Sequence, residues 1–432
     1  DSGRTLARND LLSNPYPTGI LTPAGASLGY NTFVGQNTNW YNPNMRVPYV
    51  HQFSFGFQLQ VTDTSTLEAS YVGSRTIGAN SERAYNIPSL DVRKRCNLLE
   101  GGTPDYCNTQ VPNPFKGLAP FAGTGLYTAT QISRYQIMRP FPQFTGDMIE
   151  QGRNDSNIWY NSLQINYNQR IGRGLTLLGN YTLSKMVERW GFSDPFANVQ
   201  QQGLYFNDRP HYMKFSAVYD LPFGKNQKFG SGANKGVSML ISGWRISTYT
   251  QWSSGEPNNL PGNAIMLKDP RTIGGDWKGT VNWNAHQIVG WNPCVLRQFN
   301  DGSIRPQQFS INRGCSATDF SNYAWLMVAD YTPGGGSTPG NSRMSPFRSG
   351  QIRKQQLFNV DFSLMKTTNI TERLRAEFGV EAFNLTNYYF FGRDNHFNTN
   401  PNDPNFGTQF PSQAWIGNGY PRQVQLRMKV LW

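Results

Sequence analysis

The pattern of apolar residues predicts an all-β chain: an antiparallel transmembrane β-barrel wall with long loops gathered on one side. Three observations carry this. Nine segments alternate apolar and polar residues, the signature of a half-buried strand. Their connections are short and long in strict alternation. The chain is also rich in rings, with 14% aromatic residues, and only 15% of it is charged, against about 25% in ordinary soluble proteins.

The strands are taken in chain order. In 51–61, Phe53, Phe55, Phe57, Leu59 and Val61 alternate with Gln52, Ser54, Gln58 and Gln60. In 66–75, Leu67, Ala69 and Tyr71 share a face, as do Leu163, Ile165 and Tyr167 in 159–171. In 175–185 the face is Leu175, Leu177, Tyr181 and Leu183; in 211–221 it is Met213, Phe215, Ala217, Tyr219 and Leu221. In 242–252, Trp244, Ile246 and Trp252 flank Thr248 and Thr250. In 357–366, Phe358, Val360, Phe362 and Leu364 alternate with Asn359, Asp361 and Ser363. In 372–384, Leu374, Ala376, Phe378, Val380 and Ala382 alternate with Arg373, Arg375, Glu377 and Glu381. The last segment, 423–432, sets Val424, Leu426, Met428, Val430 and Trp432 against Gln423, Gln425, Arg427 and Lys429.

Each segment is roughly 10–13 residues, twice the about 5–6 of a soluble strand. A tilted strand needs about 9–11 residues to cross a bilayer. The short links lie around Asp63, at 172–174, 222–236 and 367–371; the long ones at about 76–157, 187–209, 254–350 and 385–420. Membrane barrels have this rhythm, with short turns on one side and long loops on the other. Tyr160, Tyr219, Trp244, Trp252 and Tyr388 are candidates for the interfacial aromatic girdles. No run approaches the about 18 apolar residues of a membrane helix.

The net charge is +12, from 39 Lys and Arg against 27 Asp and Glu. The basic residues are scattered, with Arg93, Lys94 and Arg95 the densest group. Nucleic-acid binding, which concentrates charge on one patch, is not expected; a basic surface beside anionic lipid headgroups is. The 4 Cys allow three pairings. Local pairing, Cys96 with Cys107 and Cys294 with Cys315, is the simplest, and free thiols are the alternative. Disulfides imply an oxidising compartment. The chain begins at Asp1 without a signal peptide, as expected of a mature form or a fragment.

Several runs then resemble one family. They are SNPYPTGILTPAGASLG at 13–29, EASYVGS at 68–74, YTLSK at 181–185, DRPHYMKFSAVYDLPFGK at 208–225, SGWRIS at 242–247 and EAFNLTN at 381–387. Together and in order they are similar to the C-terminal portion of a TonB-dependent outer-membrane receptor. The closest type is Oar-like, with a carboxypeptidase-regulatory-like domain at its N-terminus. The resemblance covers nearly the whole chain. It implies a barrel of about 22 strands, closed by a plug and driven by TonB to take up a bulky nutrient such as an oligosaccharide or siderophore. Residues 1–432 would be the C-terminal part of the barrel domain, with the plug, the TonB box and the earlier strands absent. The implied partners are outer-membrane lipid and lipopolysaccharide, TonB through the missing plug, the barrel-assembly machinery, and an extracellular small-molecule or oligosaccharide ligand. The machinery would read the strand Val424, Leu426, Met428, Val430 and Trp432. A structural or adhesive surface protein is the alternative, and a secreted carbohydrate-binding β-protein a third reading.

Catalysis finds little support, and neither enzyme activity nor a cofactor is expected. His51, His211, His286 and His396 lack metal-ligand spacing, and His211 suits a rim or packing role. The run 230–236 lacks the phosphate-loop spacing, and Gly334–Gly336 suits a flexible loop. Residues 400–405 (NPNDPN) could offer oxygens to calcium but lack the spaced acids of an EF-hand. Arg373, Arg375, Glu377, Glu381, Arg427 and Lys429 are expected to line a wet lumen. Trp277, Trp283, Trp291, Tyr323, Trp325 and Tyr331 are candidate rings for stacking on a ligand, with loop packing as the alternative.

Overall fold

A computed structural model describes residues 25–432 except 26, 97–100, 173, 193–199, 226, 272–279, 283–286, 300, 328–342, 372, 389–396 and 410–420. Every predicted alternating segment is a strand. They are β1 (Tyr49–Thr62), β2 (Ser65–Ala84), β3 (Ile149–Ile171), β4 (Leu175–Arg189), β5 (His211–Asp220), β6 (Trp244–Ser253), β7 (Leu357–Asn369), β8 (Arg375–Phe383) and β9 (Gln423–Leu431). They pair antiparallel with their sequence neighbours, in the order β1 to β9, in one open sheet. The parallel strand Asn39–Tyr41 adds to β3, and the short strand Gln202–Leu204 adds to β4. β1 and β9 do not pair with each other, so the described sheet does not close into a barrel.

Turn chemistry fixes the short connections. Thr62 pairs with Ser65 across the tight link at Asp63 and Thr64, and their hydroxyls lie 2.7 Å apart. Between Ile171 and Leu175 the chain turns through Gly172 at φ +56°, a left-handed conformation that glycine adopts without steric cost. At the turn into β8, the Thr371 hydroxyl accepts from the Leu374 amide at 3.0 Å. This turn corrects one expectation: the strand begins at Arg375, so Arg373 lies in the turn and not on the wall.

β2 and β3 run well past their predicted ends. Beyond Arg75 and before Trp159 both are mostly polar, with scattered apolar residues and no alternating apolar face, so alternation could not reveal them. They hold each other in register through irregularities beginning at Ile77/Ala79, next to Gly78 at φ +72°.

The core does not sit on the sheet. Both faces of β1 are exposed along its length, with Phe55 at 77% and Phe57 at 60%. Among the described residues four buried clusters lie instead off the sheet, in the long connections and, for Val34, in the segment before β1. One gathers Leu260, Trp291, Val295, Trp325, Phe397 and Phe406. Another gathers Val34, Phe121, Leu126 and Ile132. Each of the other two holds a disulfide, Cys96–Cys107 beside Tyr135 and Cys294–Cys315 beside Tyr323. The local pairing expected from sequence is the one observed.

Candidate functional site

The register divides the sheet into two chemically distinct faces. Residues directly opposite in an antiparallel pair share a face. Starting from Leu426 on β9, the face runs through Val380, Leu364, Ile246 and Tyr219 to Leu175 on β4. It continues through Ile171 on β3, and the same face carries Leu163, Ile165 and Tyr167 opposite Tyr71, Ala69 and Leu67 of β2. On β1 it presents Phe53, Phe55, Phe57 and Leu59. One apolar face therefore crosses all nine strands. A sheet with an uncovered apolar face of this extent in water would need a second layer; hydrocarbon is the environment that fits it.

Rings mark both margins. Tyr219 and Trp244 lie on the apolar face at the end with the short turns. Trp252 lies at the other end, opposite Met213 and Phe358, and Tyr388 packs edge-on against Phe358 at 5.9 Å. Trp244 and Trp252 are eight residues apart, about 27 Å along a strand that rises ~3.4 Å per residue. Tyr160 is a correction: it pairs with Ser74 and Met186 and so falls on the polar face, while its neighbour Trp159 is on the apolar one. His211 lies on the apolar face between Tyr181, whose hydroxyl is 2.7 Å from its Nδ1, and the Trp252 ring at 6.0 Å. That is the packing role read from its position.

The opposite face is mainly polar: Gln52, Glu68, Gln164, Asn166, Asn180 and Lys214 lie on it across β1 to β5, with Val72, Leu178 and Val218 among them. At the β9 edge it carries charge. Arg375, Glu377, Glu381, Arg427 and Lys429 share it, with Glu377 opposite Lys429. Arg375 contacts Glu377 at 3.5 Å, Arg427 contacts Glu381 at 3.8 Å, and Gln425 donates to Glu381. Of the six predicted charges, five meet on this face. On the same strand Val424, Leu426, Met428 and Val430 point to the apolar side, and Trp432 follows the strand's last residue, almost fully exposed.

The long connections all leave the sheet at one end, where an ion-pair network ties two of them, 190–210 and 254–356, together. Asp208, itself buried, accepts from the Met186 amide at 2.7 Å and from the Arg353 guanidinium at 2.7 Å. Arg353 also donates to the carbonyls of Asp208 and Gly255. Buried Glu256 is held by Arg209 at 2.7 Å and Lys354 at 3.1 Å. Burial pushes the Glu256 carboxyl up, but the hydrogen bonds from Arg209 and Lys354 outweigh this, and the net shift is downward. Arg348 pairs with Glu188 and donates to Asn259. Arg343 donates to the Leu260 carbonyl at 2.7 Å, and burial pushes its guanidinium down to about 10. Residues as far apart as Asp208 and Arg353 meet here, so no local spacing exposes the network. Its only trace in sequence is charge clustered just before strand starts, Asp208-Arg209 and Arg353-Lys354.

The loop rings behave otherwise than a stacking site requires. Trp291, Tyr323 and Trp325 are fully buried, at 0%, 1% and 0% exposure. Trp291 packs against Trp325, Phe397 and Phe406, and the Trp325 indole donates to the Asn292 carbonyl at 3.1 Å. Gly407, at φ +75°, lies over the Trp291 ring, where a Cβ would come within 2.7 Å of Nε1. These three rings are therefore core, which corrects the ligand-stacking expectation; composition alone looks the same in both cases. Trp277, Trp283 and Tyr331 lie outside the described residues, as do His286, His396, Gly334–Gly336 and most of the 13–29 run.

The 400–405 loop spends its oxygens on its own turns. Asn400 Oδ1 accepts from the Asn402 amide at 3.1 Å, and Asp403 Oδ1 from the Asn405 amide at 2.8 Å. Asn402 Oδ1 accepts from Gln307 at 3.3 Å. A groove of ≈ 870 Å³ opens beside the ion-pair network, with Arg271, Arg353, Lys354, Tyr388 and Phe397 in its lining. Its cations are already paired: Arg271 with Asp269, Arg353 with Asp208, and Lys354 with Glu256.

Compared with known families, residues 2–425 match the model described as outer membrane beta barrel domain. A search of curated proteins finds no match.

Proposed function

The chain belongs to the outer membrane β-barrel domain family and resides in the bacterial outer membrane; from that premise we propose that it is wall and outer loops of a TonB-dependent receptor of the Oar-like type. One observation carries the reading. The nine strands make a two-faced wall whose end strands β1 and β9 have no partner on their outer edges among the described residues. In hydrocarbon every backbone group must be paired, so further strands have to complete the wall. A receptor of about 22 strands supplies them. The charges on the polar face, Arg375, Glu377, Glu381, Arg427 and Lys429, suit contact with a plug inside such a barrel.

In this reading the protein does no chemistry on its ligand. The plug couples to TonB, and the proton gradient of the inner membrane drives uptake of a bulky nutrient. The buried loop rings lend no support to a sugar in particular, so siderophores and oligosaccharides stand equally. The barrel-assembly machinery would read β9, with its apolar face and terminal Trp432.

The test is an intact mass of the native protein extracted from the outer membrane, with uptake compared in cells with and without TonB. A polypeptide more than twice this length, and uptake lost without TonB, is the expected result. A native chain of only these residues, with no TonB dependence, would overturn the receptor reading. It would favour a structural or adhesive surface protein, for which the compact, disulfide-bearing outer loops are suited.

A further inference from the structure

The longest of the short connections, residues 221–243, is more than a turn. It contains Lys225, Lys228 and Lys235 and no acidic residue. It carries the short helix α1 (Lys235–Ile241), started by Asn234, whose side chain accepts from the Val237 amide at 2.9 Å. Val237, Leu240 and Ile241 fall at i, i+3 and i+4, on one stripe of the helix, and Leu240 is 72% exposed. Phe223 and Phe229, earlier in the same connection and also exposed, lie 5.6 Å apart.

The helix is tied to a ring on the apolar face of the sheet. The Trp244 indole donates to the Leu240 carbonyl at 3.0 Å, joining helix to wall. Directly opposite Trp244 is Lys366, a cation on the lipid-facing side. A lysine is costly at the bilayer midplane and nearly free of cost near an interface, so its place beside the girdle ring is intelligible. Its ammonium lies 5.7 Å from the Trp244 ring and donates to the Met239 carbonyl at 2.8 Å and to that of Ser242. An ammonium has three donors, and among the described residues two of them have acceptors. From Lys366 a groove of ≈ 420 Å³ leads across the apolar face, between Trp244, Leu364, Phe378, Val380, Leu426 and Met428.

We propose that this is a phospholipid site of the periplasmic leaflet: the lipid phosphate sits on Lys366 beside Trp244, one acyl chain fills the groove, and the 221–243 connection lies on the headgroup surface with Lys225, Lys228 and Lys235 toward the phosphates. The occupant follows from charge and position. A cation and a ring stand at the head of an apolar channel, on the side of the membrane with the short turns. The proposal rests on the reading of the apolar face as lipid-facing.

The experiment is native mass spectrometry of the full-length protein, released from detergent with palmitoyl-oleoyl phosphatidylglycerol as the probe. The wild type is expected to retain one phospholipid, and Lys366→Gln to weaken retention about tenfold, as loss of a charge-assisted hydrogen bond would. Lys366→Arg should restore it, and Lys429→Gln, on the polar face, should leave it unchanged. Equal retention in Lys366→Gln, or an equal loss in Lys429→Gln, sinks the site. Inorganic phosphate that displaced the lipid would also overturn it, since the chain in the groove would then contribute nothing. A protein that stays dispersed without detergent would instead overturn the lipid-facing reading, so the two failures are told apart.

Discussion

Leu426 in the wall and Trp325 in the outer loop are both large and apolar, yet the first is 83% exposed and the second fully buried. The wall leaves its apolar side chains uncovered along one face. The outer loops bury theirs in clusters, staple them with two disulfides and pin them to the strand ends through Asp208, Arg209, Glu256, Arg353 and Lys354. The difference shows one chain folded for two solvents. Where hydrocarbon surrounds the strands, burial against protein is unnecessary and backbone pairing holds the structure. Where water surrounds the loops, the ordinary requirements of a soluble core return.

Truncating the core of the loop tests the water side of this contrast most severely. Trp291→Ala is expected to cost about 3–5 kcal/mol of local stability, as for other buried aromatics. Limited proteolysis should then cut within 254–356 while the strands remain protected. Equal loss of protection in the strands would mean that loop and wall fold as one unit.

On the hydrocarbon side the matching change is Phe215→Arg, on the apolar face between Gly179 and Thr250. A cost of about 2–4 kcal/mol is expected if this position lies near the midplane, measured by urea titration in lipid vesicles. Ser216→Arg, one residue on and facing the polar side, should cost far less. If the two changes cost the same, the assignment of faces fails.

Removing the Cys294–Cys315 bridge comes next. The model of chain entropy for a loop of this size predicts about 3 kcal/mol, confined to the loops. A reduced protein that keeps its strand protection but loses resistance at 295–314 would agree.

These contrasts also explain what the sequence could and could not reveal. The nine strands were legible because a membrane wall forces strict alternation, as in Val424 to Trp432. Their extensions at 76–84 and 149–158 were not, because there both faces meet water or loops and no alternation is imposed. Trp291, Tyr323 and Trp325 read equally well as exposed or packed rings, since composition carries no sign of burial. The ion-pair network was hidden by sequence distance, and Arg373 by a turn that begins where the apolar rhythm still continued.

Glu256 gives the network a pH dependence. Glu256 is held below the usual carboxylate range, so its contribution is fully present above the ordinary value of about 4.3 and is lost as pH falls through the depressed one. Cleavage after Arg353 or Lys354 by an acid-tolerant protease should therefore rise only below about pH 4. Glu256→Gln should remove that pH step, and if the step persists its origin lies in another carboxylate.

The smallest effect belongs to the polar face of the wall. Arg427 and Glu381 are 3.8 Å apart, and Arg427 is about half exposed. In a water-filled lumen such a pair contributes about 0–1 kcal/mol, so Glu381→Gln should hardly change stability in vesicles. A penalty of about 3–5 kcal/mol, the cost of breaking a buried pair, would place this face in a dry environment. The polar side would then be covered by protein, as a plug would cover it, and the comparison would shift: the wall would bury one face against a partner and give only the other to lipid.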